Sequence, residues 1–175
     1  MAESAESPAP SSVTYQIEMC DKKLIPLSKA ALELMGTLFA AIGNAELENE
    51  VIPYDRETPT IVMMKIVEWC EHHKNDVIPG IVHNDGSDPF KTDEMSLWDT
   101  ELLEDLDTIE DGLRFTVEAA NYLEISTLYR YTCKFIYDNH VKGKTTEEIR
   151  EYFCEVDDFT DEDRKKLEAE NKWFS

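Results

Sequence analysis

Positive charge is scarce in this chain. Its 175 residues include 17 Lys and Arg against 38 Asp and Glu, for a net charge of −21. Such a surface repels phosphate, which argues against nucleic acid and anionic membrane as partners. A protein with a basic face would instead be steered in by the field. A run of about 20 apolar residues, the length a membrane helix needs, is also missing. Cysteine is sparse: Cys20, Cys70, Cys133 and Cys154 lie far apart, beside apolar residues, with no CxxC pair. That usage predicts reduced, buried thiols in an intracellular protein, not a disulfide frame. Residues 1–12 are mostly Ala, Ser, Glu and Pro, with neither a basic start nor an apolar segment. They predict a disordered tail, not a signal peptide, in a protein of the cytoplasm and nucleus.

The signatures of chemistry are incomplete as well. Gly143-Lys144-Thr145 matches the end of a phosphate-binding loop, but the glycine required five residues earlier is Asp138, and no parallel-sheet strand precedes it. Cys70 and His73 would share a helix face beside His72, without a second ligand pair at a metal-site spacing. Cys133 and Cys154, with His140 as a conceivable base, carry no motif of a cysteine enzyme. The acidic clusters at 101–111 and 157–163 sit at caps and on helix faces, where solvated charge is the ordinary reading. The sequence predicts no catalytic residue, no metal and no cofactor.

What the chain does have is alternation, then helical spacing. Hydrophobic residues make up 42% of it and charged residues 31%, enough for one domain with a modest core. Val13, Tyr15, Ile17 and Met19 alternate with polar residues, which predicts a half-buried strand. Leu24-Ile25-Pro26-Leu27 predicts a second, its proline marking an edge or strand-end position. Ser28 is expected to cap a helix carrying Ala31, Leu32, Met35, Leu38 and Phe39, ending at Gly43-Asn44. A short strand fits within 50–54. Thr58-Pro59 predicts a helix start with Thr58 as N-cap and proline in the first helical position. That helix, reaching His73, is apolar over most of its circumference, so it belongs in the core or is shared with an interface. Residues 74–95 have Pro79, Gly80, Asn84-Asp85-Gly86 and Asp88-Pro89, and read as a mobile acidic loop. Two short strands, a helix, a strand and the apolar helix outline an α+β unit.

Helices fill the rest. Ser96 is expected to cap one with Leu97, Trp98, Leu102, Leu103 and Leu106, and Thr108 with Asp111 the next, carrying Gly112 inside it. The helix after Ser126 has two apolar stripes: Leu128, Tyr131 and Phe135 for its own core, and Tyr129, Cys133 and Ile136 as a surplus that fits a partner. Thr145 and Glu148 form a capping box for a helix with a single apolar edge of Ile149, Tyr152 and Phe153. The last helix starts at Thr160 and has Leu167 as its one large apolar residue, so Phe159 and Trp173 look like its anchors.

Together these phrases resemble a known family. Val67-Glu68-Trp69-Cys70-Glu71-His72-His73-Lys74, Ala119-Ala120-Asn121-Tyr122-Leu123-Glu124-Ile125, Thr132-Cys133-Lys134, Lys142-Gly143-Lys144-Thr145 with Glu147-Glu148-Ile149-Arg150, and Asp158-Phe159-Thr160 through Trp173 occur in the order and spacing of Skp-type adaptor subunits of SCF ubiquitin ligases. The resemblance implies a BTB/POZ-like domain over 13–139, with a small N-terminal sheet, and a C-terminal helical extension over 140–175 that packs with an F-box. It implies a non-catalytic adaptor joining F-box substrate receptors to a cullin scaffold for ubiquitin-dependent degradation. It assigns Asn121 and Tyr122 to the cullin face. By position it assigns Tyr129, Cys133, Ile136, Ile149, Phe153, Phe159 and Trp173 to the F-box. Arg114 and Glu118 interrupt a helix that is more uniformly apolar in the family, with an expected effect on the F-box contact. The rival reading is a BTB-type scaffold that self-associates, as a homodimer through its BTB-like face, outside any ligase.

Overall fold

A computed structural model describes residues 14–42, 51–76 and 95–170. The N-terminal tail, most of the acidic loop and Trp173 lie outside the described residues. The chain divides into two compact units, 1–136 and 137–175.

The first unit is a mixed α+β structure built on a three-stranded sheet. Strand β1 (Thr14–Glu18) is central, antiparallel to β2 (Leu24–Ser28) and parallel to β3 (Val51–Pro53). The two-residue period of a strand turns Tyr15 and Ile17 to one face, and with Met19 they are buried. Ile25 and Leu27 follow them from β2, while Leu24 and Pro26 stay exposed. Pro26 is tolerated because β2 is an edge strand of this sheet.

Helix α1 (Lys29–Glu33) starts where the hydroxyl of Ser28 accepts the Ala31 N–H at 3.2 Å. The continuous helix expected from Ser28 through Phe39 is corrected: α1 ends at Glu33 and α2 (Gly36–Ile42) starts anew. Leu34 and Met35 donate three residues back, to Ala31 and Leu32, which tightens the turn and breaks the α-helical ladder. Gly36 lies so close to Glu124 that a Cβ there would sit 2.7 Å from its carboxylate oxygen. The bend puts Met35 fully inside the core.

Helix α3 (Thr60–His73) carries Val62, Met63, Ile66, Val67, Trp69 and Cys70 into the core and leaves Ile61 and Met64 about half exposed. Its start also differs from expectation. Pro59 occupies the N-cap position, and the Thr58 hydroxyl bonds the Tyr54 hydroxyl at 2.9 Å instead of capping the helix. Glu71 ties α3 to the sheet: its carboxylate accepts the Ser28 N–H at 2.6 Å, the Ser28 hydroxyl at 3.0 Å and Lys74 Nζ at 2.8 Å.

Helix α4 (Leu97–Asp107) begins with a complete capping box between Ser96 and Asp99. Helix α5 (Gly112–Tyr122) does not begin as the sequence suggested. Thr108 is the C-cap of α4, and Asp111 in a left-handed conformation is the residue before α5. Gly112 is therefore the first residue of the helix, not an interior one. A Cβ at Gly112 would lie 2.1 Å from the Leu106 carbonyl oxygen, so the α4–α5 turn closes only around glycine.

Helix α6 (Ser126–Ile136) buries Leu128, Thr132 and Phe135. Thr132 thus takes the core position expected for Tyr131, which is only half-buried. Its hydroxyl pays no unpaired-donor penalty, since it donates to the Leu128 carbonyl at 2.8 Å. Thr116 does the same with Gly112 at 2.7 Å.

The second unit has a π-turn (Tyr137–Val141), α7 (Thr146–Tyr152) and α8 (Asp161–Glu170). Thr145 and Glu148 form the capping box of α7. Thr160 opens α8 with the same geometry, its hydroxyl donating to Asp163 at 2.5 Å and accepting the Asp163 N–H at 3.2 Å.

Candidate functional site

The first unit has a cleft of about 710 Å³ where the β3–α3 connection faces α5. Tyr54, Arg56, Arg114, Phe115, Asn121 and Tyr122 are among its lining residues. The connection is fixed from both ends. The Tyr54 N–H donates to the Glu18 carbonyl at 2.9 Å, and the Cys20 thiol reaches the carbonyl oxygens of Tyr54 at 3.6 Å and Arg56 at 3.4 Å. Burial pushes the Tyr54 hydroxyl above the ordinary tyrosine range, so it stays a neutral hydrogen-bonding group against Thr58.

Tyr122 sits at the end of α5, where the Thr37 hydroxyl donates to its carbonyl at 2.6 Å. Its ring meets the edge of Tyr54 at 5.9 Å between centroids, and the guanidinium carbon of Arg56 lies 4.3 Å from its centroid. Tyr122 is therefore half-buried and held in place, while its neighbour Asn121 is exposed at the cleft. Arg114 is paired with Asp111 and Glu118, each at 2.9 Å, and lies over Phe115 at 4.3 Å. Hydrogen bonding to Arg114 holds the Asp111 carboxyl below its usual range. Arg114 and Glu118, which the sequence associates with the F-box contact, line this cleft beside Asn121 and Tyr122.

The outer stripe of α6 is a second surface on the same unit. Tyr129 is 37% exposed, Cys133 is intermediate, and Ile136 packs partly against the core. Burial raises the Cys133 thiol while a hydrogen bond from Tyr129 opposes that shift, so the thiol remains protonated and the pair is a packing contact. The charge of a Cys133 thiolate, and hydrogen bonding with it, would push Tyr129 upward in turn.

The second unit presents apolar side chains without burying any described residue. Phe153 is 48% exposed and Phe159 44%; Tyr152, Val156 and Leu167 are exposed too. Ile149 is intermediate. Tyr152 stacks on His140 at 4.1 Å and meets Phe153 edge-on at 5.0 Å. Arg150 reaches over Phe159 at 5.6 Å and pairs with Asp157 at 3.5 Å, and Arg164 also pairs with Asp157. These contacts orient the aromatic rings without covering them.

The residues weighed for chemistry are engaged structurally. Burial drives the Cys70 thiol far above its ordinary range, which removes it as a nucleophile. His73 bonds Asp76 at 2.6 Å and Asp99 at 2.9 Å, and His72 stacks on Trp98 at 3.8 Å. Among the described residues, no group of three or more His, Cys, Asp or Glu is placed to hold a metal ion. Thr145 of the Gly-Lys-Thr phrase spends its hydroxyl on the α7 cap.

Sequence reasoning singled out Asn121 and Tyr122 but not Tyr54, Arg56 and Phe115, which line the same cleft. No periodicity marks Arg56; its one signal is a basic residue between two acids, Asp55 and Glu57.

Comparison with known proteins adds a second line. Residues 126–174 match the model of the Skp1 family, dimerisation domain. The chain is 31% identical over 165 residues to a Skp1-related protein of Caenorhabditis elegans, covering 90% of this chain and 89% of that one. It is 34% identical over 161 residues to the E3 ubiquitin ligase complex SCF subunit sconC of Talaromyces marneffei, covering 90% and 94%. It is also 34% identical over 113 residues to suppressor of kinetochore protein 1 of Schizosaccharomyces pombe, covering 64% of this chain and 67% of that one.

Proposed function

The chain belongs to the Skp1 family, and from that premise we propose that it is a non-catalytic adaptor linking F-box substrate receptors to a cullin scaffold in an SCF-type ubiquitin ligase. The observation that carries this reading is the second unit. Over residues 137–170 none of the described side chains is buried, yet Tyr152, Phe153, Val156, Phe159 and Leu167 all stand in solvent. Large apolar side chains left exposed in this number are stabilised by a partner that covers them. By family resemblance the proposed F-box residues are Ile149, Phe153, Phe159 and Trp173 in the second unit, and Tyr129, Cys133 and Ile136 in the first. Asn121 and Tyr122 form the proposed cullin contact.

In this reading residues 13–139 are a BTB/POZ-like domain and 140–175 the helical extension, working in the cytoplasm and nucleus. No bond is made or broken by the adaptor. It contributes position, holding a substrate receptor at a fixed place on the scaffold, and so raises the local concentration of substrate near the ligase. Homologues named as subunits of a ligase complex do not favour the rival, a self-associating scaffold outside the ligase.

Size-exclusion chromatography with light scattering tests the assignment, using the protein alone, with an F-box fragment, and with an N-terminal cullin fragment added. A 1:1:1 complex is expected. Asn121→Ala with Tyr122→Ala should remove the cullin fragment and leave the F-box fragment bound. A homodimer that ignores both fragments would overturn the adaptor reading, and equal loss of both partners in the double variant would overturn the division of surfaces.

A further inference from the structure

The cleft beside Asn121 and Tyr122 contains two arginines in different electrostatic situations. Arg114 is neutralised within the chain by Asp111 and Glu118. Arg56 is exposed, lies over the Tyr122 ring, and forms no ion pair with any carboxylate among the described residues. In a chain with 38 acids and 17 bases, an arginine held on an aromatic face with no carboxylate partner among the described residues is a charge that a partner can use. The ring seats the guanidinium, and the Cys20–Arg56 carbonyl contact holds its backbone, so the group is positioned before any partner arrives.

We propose that Arg56 is a specificity-determining residue of the scaffold-facing cleft, and that the cullin segment docking there presents a carboxylate to it. This rests on the reading that Asn121 and Tyr122 face the cullin. It goes further by stating the chemistry of the contact. The carboxylate pairs with the free edge of the Arg56 guanidinium, while an apolar side chain next to it lies against Tyr122 and Phe115. Asp55 and Glu57 line the same cleft and flank Arg56. They add negative charge on either side of the acid's seat, so an acid offered anywhere but to Arg56 is repelled. The net charge of −21 alone favours a basic partner segment; Arg56 selects one that has an acid at this point.

Affinity of the full chain for the cullin fragment, measured by calorimetry for a set of Arg56 variants, tests this. Arg56→Met keeps an apolar cover on Tyr122 but loses the charge, and is expected to weaken binding roughly tenfold; Arg56→Glu should weaken it more. Arg56→Lys should recover only part of the affinity lost in Arg56→Met, since it keeps the charge but not the planar fork held on the ring. Affinity for the F-box fragment should be unchanged in all three, which controls for folding. Arg56→Glu binding the cullin fragment as well as or more tightly than the parent would overturn the proposal, because a purely basic segment gains from the added acid. If Asn121→Ala with Tyr122→Ala abolishes cullin binding while Arg56→Glu does not, the inference alone fails. If neither change affects it, the scaffold-facing reading fails and the inference falls with it.

Discussion

The indole N–H of Trp69 donates to the carboxylate of Asp99 across 2.8 Å, and Asp99 is 2% exposed. The same carboxylate receives His73 Nε2 at 2.9 Å, and its other oxygen receives the Ser96 hydroxyl at 2.7 Å. One acidic side chain therefore completes the α4 capping box and binds α4 to two turns of α3. A buried carboxylate is tolerable only with such a full set of donors. Asp99→Ala should cost about 3 kcal/mol, because it strands the buried Trp69 donor and removes the Asp99 half of the capping box. Asp99→Asn, which still offers an oxygen to Trp69, should cost less. Urea unfolding followed by tryptophan fluorescence measures both; equal, small losses would show that Asp99 does not hold the helices together.

Gly112→Ala should destabilise the first unit by about 1–3 kcal/mol through overpacking against the backbone of Leu106. Thr108→Ala should be mild, since Thr108 ends α4 and does not cap α5. The contrast in thermal unfolding separates the observed helix boundary from the one the sequence suggests. The reverse order of effects would restore Thr108 as the helix start.

Stability should depend on Glu71 below neutral pH. Burial raises its carboxyl, but hydrogen bonds from Lys74 and Ser28 outweigh that and hold it below the ordinary glutamate range. A depressed folded-state value means the stabilisation is complete above the unfolded value and is lost as pH falls through the folded one. Glu71→Gln should therefore be less stable than the parent at pH 7, and the gap should narrow below pH 4.5. Denaturant midpoints across pH 3–7 read this directly; a gap independent of pH would mean the Ser28 contacts do not need the charge.

Much of this protein was legible as local chemistry. Where donor and acceptor are three residues apart, as in Ser96 with Asp99, Thr145 with Glu148 and Thr160 with Asp163, the pairing is a property of the chain and appears in the structure. The alternation of Tyr15, Ile17 and Met19 likewise foretold which side of β1 is buried. The phrase Ala119-Ala120-Asn121-Tyr122 marked the end of α5 that lines the cleft, though nothing in it revealed the cleft.

Tertiary structure decided whatever depends on atoms distant in sequence. The helix expected through Met35 breaks where Gly36 meets Glu124, 88 residues later in a chain whose local propensity cannot register that contact. Thr132 outranks Tyr131 for a core position because its hydroxyl is satisfied by the preceding turn, so a small polar residue can be buried at little cost while Tyr131 stays half-exposed. Arg56 acquires its place only when the β3–α3 connection folds against α5 and Tyr122 comes beneath it. Helical and strand periods follow from the backbone's own geometry; the neighbours of a side chain across the core follow from packing, and one chain segment does not contain them.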